Sequence, residues 1–487
     1  MRRLLIALGL IALGPSSLLT GCASTTPQTA TPGNATSTQL VAADPGQTPP
    51  TSSNDAPNPN GAWIGVAAGN DAFVPGAQDT FVAVWVDIPK DNLETHAPAD
   101  VALVIDTSGS MSGDKIRNAR AAALKLVDNL RDGDIVSVHT FSDAVQERVS
   151  PTRLDADSRR RIASILSELS ADGGTNLFEG VRAAGMAAMS APATHLIRRV
   201  VLISDGIATV GMTARSNMEL LGDKAGERGV QITAIGVGLD YDELTLNALA
   251  MKSAGRLYHM ESTAALPEIV ASEMGLLKST RAADAKVAIV PAPGVQLLGV
   301  EGATGRWQSG GTLEVPLGAM FGGQHKEFIV RARLDAPESG SHPVASVRLV
   351  FLDPKEGNLE RVQEAVARFD VVGDATIASN RKNVRAQNVF AMIDASLATE
   401  RAAQSVNTDD FAGADRAFAE AETKLRSQAA VATTAADKSR LEKTADRVGQ
   451  ARAGASKAAA APPAARPAAK RKMSLEANDA AMDMQGF

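Results

Sequence analysis

The chain holds one cysteine, Cys22. That excludes an intramolecular disulfide, so the folded parts must be held by their cores. Aromatic residues are also few, at 3%, which disfavours surfaces that stack nucleobases. There is no long basic block and the net charge is -6, so nucleic acid is not an expected partner. None of the six histidines opens an HExxH zinc-protease motif, and neither a G-x-S-x-G elbow nor a phosphate-binding loop occurs. After the first 21 residues no apolar run is long enough to span a bilayer.

What is present begins at the N-terminus. Met1-Arg2-Arg3 is followed by the apolar run LLIALGLIALG and then by Leu19-Thr20-Gly21-Cys22. A cationic start and a short apolar stretch make residues 1–21 an expected signal peptide. Its ending resembles a bacterial lipobox, in which cleavage precedes the cysteine and Cys22 is acylated. Several acyl chains on one residue would hold the protein on a membrane, where a single chain is marginal. Ala23 is not the aspartate that retains some lipoproteins at the inner membrane. The expected location is therefore the bacterial cell envelope, lipid-anchored at the outer membrane. Residues 22–60, rich in Ser, Thr, Pro, Asn and Gln, cannot bury a core and read as a disordered tether.

With 44% hydrophobic and 21% charged residues in 487, the rest should be globular, at about three domains. Residues 61–98 form a β-rich segment whose run Phe81–Ile88, FVAVWVDI, suits a largely buried strand. Residues 99–278 alternate strand and helix signals, with continuous apolar strands such as RRVVLISDG. That alternation predicts an α/β fold, a doubly wound, mostly parallel sheet with helices on both faces. Residues 279–374 switch to a period of two, as in FIVRARL and VRLVFL, and predict an accessory antiparallel β-sandwich. The strand near residue 84 belongs to it if the α/β part is an insertion. Residues 375–453 turn helical, with Phe411, Ala414, Phe418, Ala421 and Leu425 on one stripe. Residues 454–487, opening with AAAAPPAARPAAKRK from 458, read as a disordered tail.

The chemistry concentrates where the predicted parallel strands end. VALVID runs into Thr107-Ser108-Gly109-Ser110, so a buried strand closes on Asp106 followed by two hydroxyls. An Asp-x-Ser-x-Ser string alone is weak, since turns and helix caps favour the same residues. Two further stretches add to it. Asp172-Gly173-Gly174-Thr175 places a glycine-flanked threonine before a helix, and LISDG ends a second buried strand on Asp205. Ligands of open α/β sheets bind beyond the carboxyl ends of the strands. Asp106, Ser108, Ser110, Thr175 and Asp205 would bring hard oxygen donors there, suited to magnesium or manganese.

These five residues in this order and spacing, set in about 180 residues of alternating strand and helix, resemble the metal-ion-dependent adhesion site of the von Willebrand factor type A domain, which implies a six-stranded sheet. The resemblance implies Mg2+, or Mn2+ or Ca2+, held directly by Ser108 and Ser110. Thr175 would bind directly or through water, and Asp106 and Asp205 mainly through water. It also implies a protein partner whose Asp or Glu carboxylate completes the coordination. The α/β part is similar to inter-α-trypsin-inhibitor heavy chains and chloride-channel regulators as well. The segment before residue 100 is short for the former, and the metalloprotease motif of the latter is absent.

The expected function is thus a lipid-anchored, metal-dependent binding module for adhesion or assembly of an envelope complex, without enzyme activity. A passive scaffold without metal is the first alternative. A metal-dependent hydrolase with Asp106 or Ser108 as nucleophile is the second, and it would need a base. His139 and His259 fall within predicted strands and His195 just before one, as structural histidines do.

Overall fold

A computed structural model describes residues 63–90, 97–238 and 241–486. Cys22, the expected signal peptide and the expected tether lie outside them. The first described strands are β1 (Ile64–Ala68), β2 (Ala72–Phe73) and β3 (Gly76–Asp87).

The α/β part follows. Its strands are β4 (Ala99–Asp106), β5 (Ile135–Phe141), β6 (Val145–Arg153), β7 (Ile197–Ser204), β8 (Val230–Val237) and β9 (Leu257–Met260). Its helices are α1 (Asp114–Asn129), α2 (Ala156–Ser167), α3 (Leu177–Met189), α4 (Arg215–Gly226), α5 (Glu243–Lys252) and α6 (Leu266–Lys278). The six strands form one sheet in the order β6-β5-β4-β7-β8-β9. All pairs are parallel except β5 with β6, which is the doubly wound sheet the sequence predicts. Both faces are covered, so the middle of β4, Val101–Ile105, is apolar on both sides. Val101, Leu103 and Ile105 join the core under α1, α2 and α6, while Ala102 and Val104 join the one under α3, α4 and α5. Local signals fix the helix starts. Asp155 and Ser158 form a reciprocal capping box on α2, and the Asp242 side chain accepts from the Thr245 N–H on α5.

The chain then returns to β structure with β10 (Thr280–Pro291), β11 (Val295–Glu301), β12 (Arg306–Trp307), β13 (Leu313–Phe321), β14 (His325–Ala336), β15 (Gly340–Asp353) and β16 (Leu359–Val371). Two sheets result, β1-β3-β14-β11 and β12-β13-β10-β15-β16-β2. Residues before the α/β part thus pair with residues after it: β3 runs antiparallel to β14 from His325↔Asp87 to Ala336↔Gly76. The α/β part is inserted between them. Val82, Val84 and Val86 face the core between the sheets, whereas Ala83 and Trp85 pack against the first long C-terminal helix. Burial on both faces is why FVAVWV has no polar alternation.

The C-terminal helices are α7 (Ala375–Asn380), α8 (Val384–Asn407), α9 (Phe411–Val431), α10 (Ala435–Ala460) and α11 (Arg466–Gln485). Here the reading of 454–487 as a disordered tail is corrected. Helix α10 continues to Ala460, and α11 is a packed helix with Met473, Ala477, Ala480 and Met484 in the bundle core. The Pro-Ala run that suggested disorder is the turn between them, and Pro467 sits in the first turn of α11, where proline is tolerated. Met482 of α11 reaches the core of the α/β part.

Candidate functional site

Strands β4 and β7 are neighbours in parallel, so their carboxyl ends bring Asp106 and Asp205 to the same sheet edge. Both side chains are wholly buried. Past Asp106 the chain makes an Asx turn, with the Ser108 N–H donating to Asp106 Oδ1 at 2.9 Å. The turn sets the Ser108 and Ser110 hydroxyl oxygens 3.0 Å apart, the first buried and the second exposed. The loop with Thr175 is pulled alongside by backbone bonds. The Gly109 N–H donates to the Gly173 carbonyl at 2.9 Å, and the Asp172 N–H to the Thr107 carbonyl at 2.8 Å. Gly173, at φ +82°, is in the left-handed region that glycine enters without strain. A Cβ there would fall 2.6 Å from an Asp143 carboxylate oxygen.

Thr175, 3% exposed, is fixed from the next loop. Its N–H donates to the Thr209 hydroxyl at 2.9 Å, and its carbonyl accepts from the N–H groups of Thr209 and Val210 at 3.0 and 3.1 Å. The five residues singled out in the sequence therefore lie at the end of β4, which holds Asp106, and on three loops that are hydrogen-bonded to each other or to strand ends. The same β7–α4 loop leaves Ile207 and Met212 largely exposed beside them.

The carboxylates differ in their surroundings. Asp106 Oδ2 accepts from the Ser204 hydroxyl at 2.5 Å, and that hydroxyl accepts from the Gly206 N–H at 2.7 Å. Burial pushes the Asp106 carboxyl up to about 6; the Ser108 and Ser204 hydrogen bonds oppose the rise and the Asp205 charge adds to it. Asp205 Oδ2 accepts from Lys115 Nζ at 2.9 Å. Asp205 Oδ1 is buried with no hydrogen-bond partner among the described residues. Its backbone carbonyl accepts from the Asp242 N–H at 2.7 Å, tying the loop before α5 to the site.

This donor set fits a small hard cation. It offers hydroxyl and carboxylate oxygens only, and the Asp205 oxygen is an acceptor that lacks a donor. Among the described residues no group of three or more His, Cys, Asp or Glu could hold a metal by itself. Here the donors beyond two carboxylates are hydroxyls. Ser204, Thr209 and Lys115 were not visible as site residues in the sequence. A serine closing an apolar strand and a lysine opening a helix carry no distinguishing signal.

The histidines sit elsewhere. The His195 ring bonds the Gly133 carbonyl at 3.0 Å, at the opposite edge of the sheet, where β5 starts. His139 lies buried within β5, where burial lowers its pKa. His259 stacks on Tyr241.

Comparison with known proteins identifies the α/β part. Residues 100–272 match the sequence profile of the von Willebrand factor type A domain. These residues are a von Willebrand factor type A domain. Domains of this kind typically serve protein interaction or adhesion. The chain is 24% identical over 296 residues to the uncharacterized protein sll0103 of Synechocystis sp., covering 59% of this chain and 69% of that protein. It is 31% identical over 180 residues to the human inter-alpha-trypsin inhibitor heavy chain H4, covering 35% of this chain and 19% of that protein. The chain thus spans about a fifth of the heavy chain's length. Among solved structures, a von Willebrand factor type A protein from Catenulispora acidiphila superposes with a TM-score of 0.64 at 18% identity, covering 80% of this chain and 89% of that one. At that identity the likeness concerns the fold, which it shares well beyond the type A domain.

Proposed function

We propose that the type A domain binds a divalent cation, Mg2+ or an equivalent such as Mn2+ or Ca2+, and through it an acidic side chain of a protein partner. The observation that carries this reading is the convergence of Asp106, Ser108, Ser110, Thr175 and Asp205 at one sheet edge, with a buried Asp205 oxygen lacking a donor. Neutral hydroxyls as direct ligands leave an ion strongly electrophilic, and a partner's Asp or Glu is then the natural further ligand. The exposed Ile207 and Met212 beside the site would add apolar contact. With Cys22 acylated, the module would work in adhesion or complex assembly at the bacterial outer membrane. Binding rather than catalysis is favoured because no histidine of this domain hydrogen-bonds Asp106, Ser108 or Asp205 among the described residues, and His195 lies at the opposite end of the sheet.

The test is a thermal melt of the full chain in EDTA, Mg2+ and Mn2+, beside Asp106→Ala. A ligand that binds only the folded state raises the midpoint by mass action. A metal-dependent rise in the wild type, absent from the variant, is the expected outcome. Equal midpoints in EDTA and millimolar metal would favour the passive scaffold.

A further inference from the structure

Lys115 enters the site from α1. It stands in the first turn of that helix, and its ammonium donates to Asp205 Oδ2 at 2.9 Å. The carboxylate is wholly buried and the lysine side chain 23% exposed, so the pair lies at the boundary between the protein interior and solvent. The route is cut to fit. Gly238, at φ +84°, closes β8, and a Cβ there would fall 2.9 Å from Lys115 Cε. The Asp106 oxygens are satisfied by an N–H and a hydroxyl, both neutral. The positive charge paired with this two-carboxylate site is therefore that of Lys115.

We propose that Lys115 is a tethered competitor of the divalent cation and sets how tightly the site holds it. The proposal rests on reading the site as a cation site. A buried carboxylate needs a countercharge, and a lysine supplies one as a point charge on a flexible four-carbon stem that can swing away. When an ion enters, Asp205 can satisfy only part of each positive charge, and the two cations repel at short range. An ion on the free Oδ1 faces the ammonium on Oδ2 of the same carboxylate; the ammonium gives way towards solvent, and the ion's affinity is lowered by the cost of that move. The exchange keeps Asp205 compensated in both states, so the fold does not depend on the ion being bound.

Isothermal titration of the full chain with Mn2+ tests this in the wild type, Lys115→Met, Lys115→Gln and Arg117→Met. Lys115→Gln keeps a donor for Asp205 without the charge and guards against a variant that fails to fold. Arg117 lies on the same helix turn but pairs with the exposed Asp114, so its removal measures the general effect of losing a nearby charge. The expected result is Mn2+ affinity raised about tenfold or more in both Lys115 variants, against less than about threefold in Arg117→Met. Binding in the Lys115 variants alone would support the proposal as well. Unchanged or weaker affinity in the Lys115 variants, or an equal gain in Arg117→Met, would overturn it and leave the cation site standing. No Mn2+ binding in any protein would overturn the cation reading and this proposal with it.

Discussion

The Ser204 hydroxyl donates to Asp106 Oδ2 at 2.5 Å and so joins the last residue of β7 to the last residue of β4. One small side chain thereby fixes a buried carboxylate and, by accepting from the Gly206 N–H at 2.7 Å, the turn that follows Asp205. Hydrogen bonds to charged groups contribute about 1.5–3 kcal/mol. Ser204→Ala should therefore destabilise the protein by about 1–3 kcal/mol, seen as a lower urea midpoint at unchanged slope. It should also raise the Asp106 pKa further, because a hydrogen bond that stabilises the anion is lost.

Asp100, at the opposite end of β4, predicts a pH dependence. It is wholly buried, and neither carboxylate oxygen has a hydrogen-bond partner among the described residues. Burial pushes it up to about 7, against the opposing charge of Arg198. Between the usual carboxylate range and about 7 the folded chain holds a proton that the unfolded chain releases. The stability contributed by this group is present at low pH and is lost as pH rises through that window. Asp100→Asn cannot titrate and should lack that fall. The variant should gain about 1–3 kcal/mol over wild type on going from pH 4 to pH 8, measured by urea unfolding at both values.

The last helix of the type A domain is pinned from inside. Glu273 of α6 is buried at 1% exposure and pairs with Arg199 of β7, itself 3% exposed. Arg199 also donates to Gln231 at 3.0 Å, and the Thr233 hydroxyl donates to Glu273 at 3.2 Å. Removing one member strands a buried charge at about 3–5 kcal/mol. Arg199→Met should cost that much in chemical denaturation and speed amide exchange in α6. Arg199→Met with Glu273→Leu should recover most of it, since a hydrophobic replacement of both partners is often neutral.

Helix α11 is docked on the same domain through Asn478, which donates to Glu243, the residue after Asp242. Arg471 lies over the Tyr241 ring at 4.7 Å. Asn478→Ala should cost about 1–3 kcal/mol. Hydrogen exchange should show faster exchange across 466–485 while β4 and β7 stay protected.

The parallel sheet was legible in the sequence because its central strands are buried on both faces and run into turn-forming residues: β4 ends on Asp106, Asp205 follows β7 and Gly238 follows β8. The five candidate residues were legible because their spacing carries a strong pattern. Strand β6 was not. VQERVSPTR is an edge strand, mostly exposed, so alternation is weak and Pro151 argues against pairing. Helix α11 was hidden because its buried face is made largely of alanine and methionine beside a proline-rich turn, with no large apolar stripe. Ser204 and Lys115 were hidden for another reason. Their roles arise from contacts across 98 and 90 residues, and no local pattern encodes such distances.

A divalent cation held at the edge formed by Asp106, Ser108, Ser110, Thr175 and Asp205 would be visible by diffraction. Crystals of the full chain grown with millimolar Mn2+, with anomalous diffraction recorded, test it most directly. The expected result is an anomalous peak between the Ser108 and Ser110 hydroxyls, at about 2.1 Å from each as for a small hard cation, and its loss in Ser108→Ala. A well-ordered site with no peak in Mn2+, or a peak held by other residues, would contradict it.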